Sequence, residues 1–103
     1  MITEMSQPQV FHLLQLKGAI SLEMQGFKTK GGSAYAHAKR IYNLKGSRQK
    51  VHDWLEAMYQ LQLRLKQYSS NYDAAVGKVD KSAVDYWEGA IQQTLEDIQE
   101  LQA

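Results

Sequence analysis

Apolar residues recur at helical spacing along most of the chain, and no segment shows the apolar–polar alternation of a half-buried strand. The first helical segment follows Ser6 and Pro8, a combination typical of a helix start, since proline needs no hydrogen-bond partner in the first turn. Gly26 and the glycines beyond it are expected to end this segment. We therefore predict a first helix over about residues 8–25.

Two serines divide the middle of the chain, because serine at an N-cap can accept a hydrogen bond from the first turn of a helix. Ser33 predicts a short second helix over residues 34–43, and Ser47 predicts the start of a third helix. Between them, residues 43–46 read as a turn with Leu44 as an apolar plug. The third helix carries an a/d series typical of a helix packed along a neighbour: Val51, Trp54, Met58, Leu61, Leu65 and Tyr68.

Polar residues at 69–71 predict an interruption of the third helix, and residues 72–81 are compatible with either a helical turn or a packed loop. Asp80 or Ser82 then caps a fourth, long C-terminal helix. This helix carries a second a/d series: Val84, Trp87, Ile91, Thr94, Ile98 and Leu101. The pattern predicts an all-α fold, a single-domain bundle (1–103) of about four helices with a helix-turn-helix-like centre.

Composition agrees with one small domain, because 103 residues with a 44% hydrophobic fraction support one modest core. No apolar run approaches the roughly 20 residues that a membrane-spanning helix needs. The N-terminal residues lack the basic and apolar regions of a signal peptide. The chain has no cysteine, which excludes disulfides and thiolate metal sites. We expect a cytoplasmic protein without membrane contact.

No arrangement of residues suggests catalysis. The three histidines, His12, His37 and His52, fall on different predicted elements. His52 and Asp53 are neighbours in sequence, but adjacent positions on a helix do not face each other, so we expect no working pair. No metal-binding, phosphate-loop or dinucleotide-loop motif occurs. We therefore expect no enzyme activity, no cofactor, no metal and no small-molecule substrate.

Charge is distributed unevenly along the chain, although the net charge is only +1. The first fifty residues carry eight basic and two acidic residues, and the remainder carries four basic and nine acidic residues. Seven of the basic residues lie within 28–50, which contains no Asp or Glu. Such a concentration favours an anionic partner, either a nucleic acid or an acidic protein surface, and the alternative is a basic surface that is only solvated.

The basic segment overlaps the helix-turn-helix-like centre, where a recognition helix would begin near Ser47. Arg48 and Gln49 are residue types suited to guanine and adenine edges, and the neighbouring cations would hold phosphates. The predicted binding residues are Lys28, Lys30, Lys39, Arg40, Lys45, Arg48, Gln49 and Lys50. Two features oppose this interpretation: the turn is longer than in compact motifs, and Asp53 and Glu56 would repel phosphates if they faced them.

Aromatic residues allow two interpretations. Trp54, Tyr68 and Trp87 lie in the apolar series and are expected in the core. Tyr35 and Tyr42 flank the basic residues, where aromatic rings could stack on bases or anchor a protein interface.

The central pattern GxSAYxxAKRxxxLKG, followed by a helix beginning near Val51, resembles small uncharacterised helical proteins encoded by phages and other mobile elements. The similarity covers about a third of the chain. It implies a small regulatory, DNA-associated or host-interacting protein, and it brings no catalytic residues.

The sequence therefore supports two main hypotheses. The first is a small nucleic-acid-binding or regulatory protein, dimeric, that uses its basic helix-turn-helix-like surface. The alternative is a non-enzymatic protein-interaction module, an adaptor or inhibitor. Such a module would dock on an acidic partner or self-associate through the third and fourth helices. The charge asymmetry adds a further possibility, in which the basic half of one copy meets the acidic half of another.

Overall fold

The computed structural model describes residues 2–27 and 32–103, and these residues form α-helices without any strand. The helices are α1 (Gln7–Met24), α2 (Ala34–Tyr42), α3 (Arg48–Gly77) and α4 (Lys81–Leu101). This confirms the all-α prediction and its four helices. In the described part of the chain, no helix combines the length and apolar character needed to span a membrane.

The helices begin where the sequence predicts, because each start is capped by a side chain. Ser6 forms a capping box: its hydroxyl accepts from the Gln9 N–H at 3.4 Å, and the Gln9 amide oxygen accepts from the Ser6 N–H at 2.8 Å. Ser33, Ser47 and Asp80 each accept a hydrogen bond from the backbone N–H three residues later, at 3.1–3.3 Å. These bonds satisfy donors that a helix otherwise leaves unpaired.

Each of the first three helices is followed, within two positions of its last residue, by a residue in the left-handed region. Gly26, Asn43 and Val79 have φ values of 94°, 53° and 54°. After each, the next N–H bonds to the carbonyl five residues back, at 3.0–3.1 Å, which satisfies the last carbonyls of the helix. Glycine and asparagine adopt this conformation readily, whereas a β-branched residue does so only with strain. Val79 is also 88% exposed, so packing against the residues that the structure describes does not explain this conformation.

The predicted interruption of the third helix at residues 69–71 is wrong, since α3 runs through them without a break. Serine and asparagine are only tenths of a kcal/mol poorer than the best helix formers, a cost that packing on either side readily outweighs. The Tyr68 ring lies 5.4 Å from that of Trp87, and Ala75 is buried one turn beyond the polar cluster. Residues 72–77, left open by the sequence, therefore complete the helix.

The chain divides into two compact units. The first, Ser6–Tyr59, contains α1, α2 and the beginning of α3 and is called the N-terminal unit. Its buried apolar residues are Val10, Leu13, Leu16, Ile20, Ala38, Val51, Leu55 and Met58. Phe11, Phe27 and Ile41 are large and apolar but exposed, because they point away from the buried sides of α1 and α2 or lie beyond them.

The second compact unit consists of residues 2–5 and Gln60–Ala103 and is called the C-terminal unit. Its core includes Leu65, Ala75 and Ile98 together with two buried polar residues, Gln62 and Thr94. The Thr94 hydroxyl donates to the carbonyl of Ala90 at 2.9 Å, which satisfies it inside α4. Trp54, Tyr68 and Trp87, expected in the core, are half-buried in their respective units.

The N-terminal residues 2–5 are held in the C-terminal unit by glutamine side chains. Gln62 accepts from the Met5 N–H at 2.8 Å and donates to the Thr3 carbonyl at 2.6 Å. Gln102 likewise accepts from the Ile2 N–H at 2.8 Å and donates to the Ile2 carbonyl at 2.7 Å. Two side-chain amides therefore pair with the backbone N–H and C=O groups of this segment.

The charge asymmetry of the sequence coincides with this division. Residues 6–59 contain eight basic and three acidic residues, whereas the rest of the chain contains four basic and eight acidic residues. The excess positive charge therefore belongs to the N-terminal unit.

Candidate functional site

The predicted basic surface lies where α2 ends and α3 begins. We call this region the basic corner, and its members are Lys39, Arg40, Lys45, Arg48, Gln49 and Lys50. All except the half-buried Lys39 are exposed. The other two predicted residues, Lys28 and Lys30, lie outside the described residues. The turn between the helices covers residues 43–47, which is longer than in compact helix-turn-helix motifs.

Tyr35 is the centre of this corner. Lys39 Nζ and Arg48 Cζ each lie 4.8 Å from the centroid of its ring, so two cations contact one aromatic side chain. The Tyr35 hydroxyl donates a hydrogen bond to the Gly46 carbonyl in the turn. The ring therefore ties α2 to the turn and to the first residue of α3.

Arg48 is also engaged by an acidic residue. Arg48 Nε lies 3.6 Å from Glu23 Oε2, and the Glu23 side chain is only 9% exposed. The same carboxylate accepts from the backbone N–H groups of Ala34 at 2.6 Å and Tyr35 at 3.4 Å. Glu23, from the last turn of α1, therefore caps α2 and pairs with the head of α3.

Gln49 is held within its own helix, since its side-chain nitrogen donates to Asp53 Oδ1 at 2.7 Å. Arg48 and Gln49 are the two residues predicted to reach bases, and both have partners inside the chain. Reading base edges would require them to exchange these contacts. The geometry therefore favours a surface that contacts phosphates over one that reads bases.

Asp53 and Glu56, the two acidic residues that oppose nucleic-acid binding, differ from each other in burial and in their partners. Glu56 forms an ion pair with Lys17 of α1 and is half-buried, so its charge is neutralised inside the unit. Asp53 is exposed and lies one turn beyond Gln49, where it would weaken the attraction of an anion for this side of α3.

The aromatic rings near the basic residues are also occupied. Tyr35 contacts the two cations described above, and the Tyr42 ring lies 5.3 Å from that of Trp54. Burial raises the pKa of Tyr42, so its phenol remains protonated near neutral pH. Contacts inside the unit therefore compete with any stacking of these rings on bases.

Three cations of the corner remain available to a partner. Arg40, Lys45 and Lys50 are exposed and form no ion pair with any residue that the structure describes. Lys50 lies in the first turn of α3, which contains no acidic residue. The positive end of the helix dipole normally favours acidic residues, so the cations here add to a positive potential instead of cancelling it.

The histidines do not form a metal site in the described part of the chain, where no three potential ligands come together. His12 and His37, which the sequence places on different helices, contact each other edge to face at 5.9 Å between centroids. His52 Nδ1 lies 3.4 Å from Asp53 Oδ1, so these two neighbouring side chains approach each other at the surface of α3.

Sequence reasoning missed Glu23, the residue that organises the corner. A lone glutamate near the end of a helix carries no signal of partners 11 and 25 positions away. Comparisons with protein-family models, with curated proteins and with solved structures find no match to this chain. The geometry of the corner therefore carries the functional argument.

Proposed function

We propose that this protein is a small, non-enzymatic nucleic-acid-binding protein with a regulatory role, and that its basic corner binds the phosphate backbone. The observation that supports this most is the group of three exposed cations, Arg40, Lys45 and Lys50, without carboxylate partners among the described residues, beside the head of α3.

Part of this positive charge is unfavourable for the free protein. Lys50 lies at the positive end of α3, where a basic residue costs about 0.3–1 kcal/mol, and neighbouring cations repel one another. Arg40 lies in the last turn of α2, where the helix dipole favours it. A polyanion removes both costs and gains entropy, because binding releases counterions condensed on the nucleic acid.

The expected mode of nucleic-acid binding follows from which side chains of the corner already have partners inside the chain. Arg48 keeps 49% of its side chain exposed while it pairs with Glu23, so it can add to the attraction without leaving its partner. Gln49 is bonded to Asp53. Binding through charge alone gives little sequence preference, since phosphate contacts carry no base information.

Charge reversal at the corner should weaken duplex binding strongly. For the double variant Lys45→Glu/Lys50→Glu, we expect at least a tenfold loss of affinity for a labelled DNA duplex at low salt. The slope of log affinity against log salt should fall by about 2, because each lost phosphate contact removes about 0.9. Fluorescence anisotropy at several salt concentrations measures both quantities.

The chain offers a matched control in the other unit. Lys78→Glu/Lys81→Glu changes the net charge by the same amount at two exposed positions of the C-terminal unit. Its affinity should fall much less than that of the corner variant. Equal losses for the two variants would show that net charge, and not the basic corner, determines binding.

The second candidate function is a protein-interaction module that docks on an acidic partner. The same engagement of Arg48, Gln49 and Tyr35 favours it, because a surface that offers charge alone suits carboxylates as well as phosphates. Poly-glutamate that binds more tightly than a DNA duplex at equal salt, with loss of binding in the corner variant, would favour this candidate.

A further inference from the structure

Helix α1 has an outer face without charge. Its buried residues, such as Leu13 and Ile20, lie on one side of the helix. At 100° per residue, the opposite side carries Gln7, Phe11, Leu14, Gln15, Gly18, Ser21 and Leu22, with Gln25 just beyond the helix. All are exposed except the half-buried Ser21.

The two charged residues of α1 do not reach this face. Lys17 pairs with Glu56, and Glu23 pairs with Arg48, both inside the N-terminal unit. The outward surfaces of the other described helices all carry charges, for example Arg40 on α2, Arg64 on α3 and Glu88 on α4. The outer face of α1 is therefore distinct, with three exposed large apolar residues and no ion.

We propose that two copies of this chain pair through the outer face of α1, antiparallel and related by a two-fold axis at Gly18. In such a pair, a residue four positions before Gly18 meets the residue four positions after it in the other copy. Leu14 then lies opposite Leu22, and the same contact forms twice.

Gly18 fits the centre of this arrangement. A Cβ added at Gly18 would meet no atom of the described residues within 4 Å, so packing against them does not require a glycine here. Glycine inside a helix costs about 1 kcal/mol relative to alanine. At the two-fold axis its small size lets the backbones of two helices approach closely. Phe11, seven positions before the axis, would cover the stem of Gln25, seven positions after it.

The absence of charge favours a second copy over a different partner. In a two-fold contact each surface meets itself, so any ion near the axis would face its own equivalent and repel it. An uncharged face avoids this repulsion. The 18 residues of α1 span only about 27 Å, which gives a small interface. We therefore expect a dissociation constant on the order of 10 µM, typical of a weak dimer.

Substitution at the axis tests the proposal without disturbing the core. Gly18→Glu places two carboxylates face to face in the dimer, while the monomer gains a better helix former in open space. Sedimentation equilibrium of the full chain, without nucleic acid, should show wild-type mass rising from 11.8 kDa toward twice that value with concentration. The Gly18→Glu variant should remain at 11.8 kDa.

Two further samples separate this interface from general effects. Gly89→Glu makes the same change on the exposed side of α4, also with no atom within 4 Å of the added Cβ, and should dimerise like wild type. An equal mixture of Gly18→Glu and Gly18→Lys should recover the dimer, because opposite charges then meet at the axis.

A wild-type protein that stays monomeric at several hundred micromolar, well above the expected constant, would overturn the proposal. Dimerisation of Gly18→Glu as strong as that of wild type would also overturn it. That result would favour a dimer interface on α3 and α4 instead. None of these results depends on nucleic-acid binding, so the dimer and the proposed function fail or stand separately.

Discussion

Replacing Gln62 with leucine is expected to lower the free energy of unfolding by about 3 kcal/mol, since two hydrogen bonds are lost and the buried Met5 N–H remains unpaired. Gln62 is 0% exposed, and its amide bonds to the Met5 N–H and the Thr3 carbonyl. Leucine has nearly the same volume, so the change removes the hydrogen bonds and leaves no cavity. Urea denaturation followed by circular dichroism measures the effect.

The same substitution on the surface of the same helix serves as the control. Gln67 is exposed on α3, and Gln67→Leu should change stability by no more than about 0.5 kcal/mol. A similar small change for Gln62→Leu would contradict the account. It would mean that residues 2–5 are not held by this amide in solution.

Replacing Glu23 with alanine is expected to lower the free energy of unfolding by about 2 kcal/mol, because hydrogen bonds to a charged group contribute about 1.5–3 kcal/mol. The carboxylate accepts from the Ala34 and Tyr35 N–H groups and pairs with Arg48. Helix α2 has only nine residues, and helices of that length are marginal without caps and packing. Urea denaturation gives the stability, and hydrogen exchange at the two amides reports on the cap.

Two variants identify the cause of this effect. Glu23→Gln keeps an acceptor oxygen and removes the charge, so it should lose about half as much stability as alanine. Glu88→Ala removes a carboxylate from an exposed position of α4 and should be nearly neutral. If Glu23→Ala left both stability and exchange at Ala34 unchanged, the carboxylate would not be the cap of α2.

Much of the fold follows from local sequence signals. Ser6, Ser33, Ser47 and Asp80 predict helix starts, and all four act as caps, because capping depends on atoms only three residues apart. The break predicted at residues 69–71 is wrong because helix continuity there does not depend on local sequence. Helix continuity there depends on contacts such as that between Tyr68 and Trp87, which no local pattern reports.

The candidate site was predictable only in part. The basic residues between 39 and 50 stand out in the sequence, and the structure brings them to one corner. Which of them remain available depends on distant partners: Glu23 for Arg48, and the Tyr35 ring for Lys39 and Arg48. These pairings are set by how α1, α2 and α3 pack, so they appear only in the folded chain.

The salt dependence of duplex binding by the wild-type protein tests the central claim most directly. If Arg40, Lys45 and Lys50 contact phosphates, a labelled DNA duplex should bind at low salt. The logarithm of its affinity should then fall against the logarithm of salt concentration with a slope of about −3. Anisotropy titrations at low and at physiological salt give that slope. No binding at low salt, or affinity that does not change with salt, would contradict the proposal that the basic corner binds a nucleic-acid backbone.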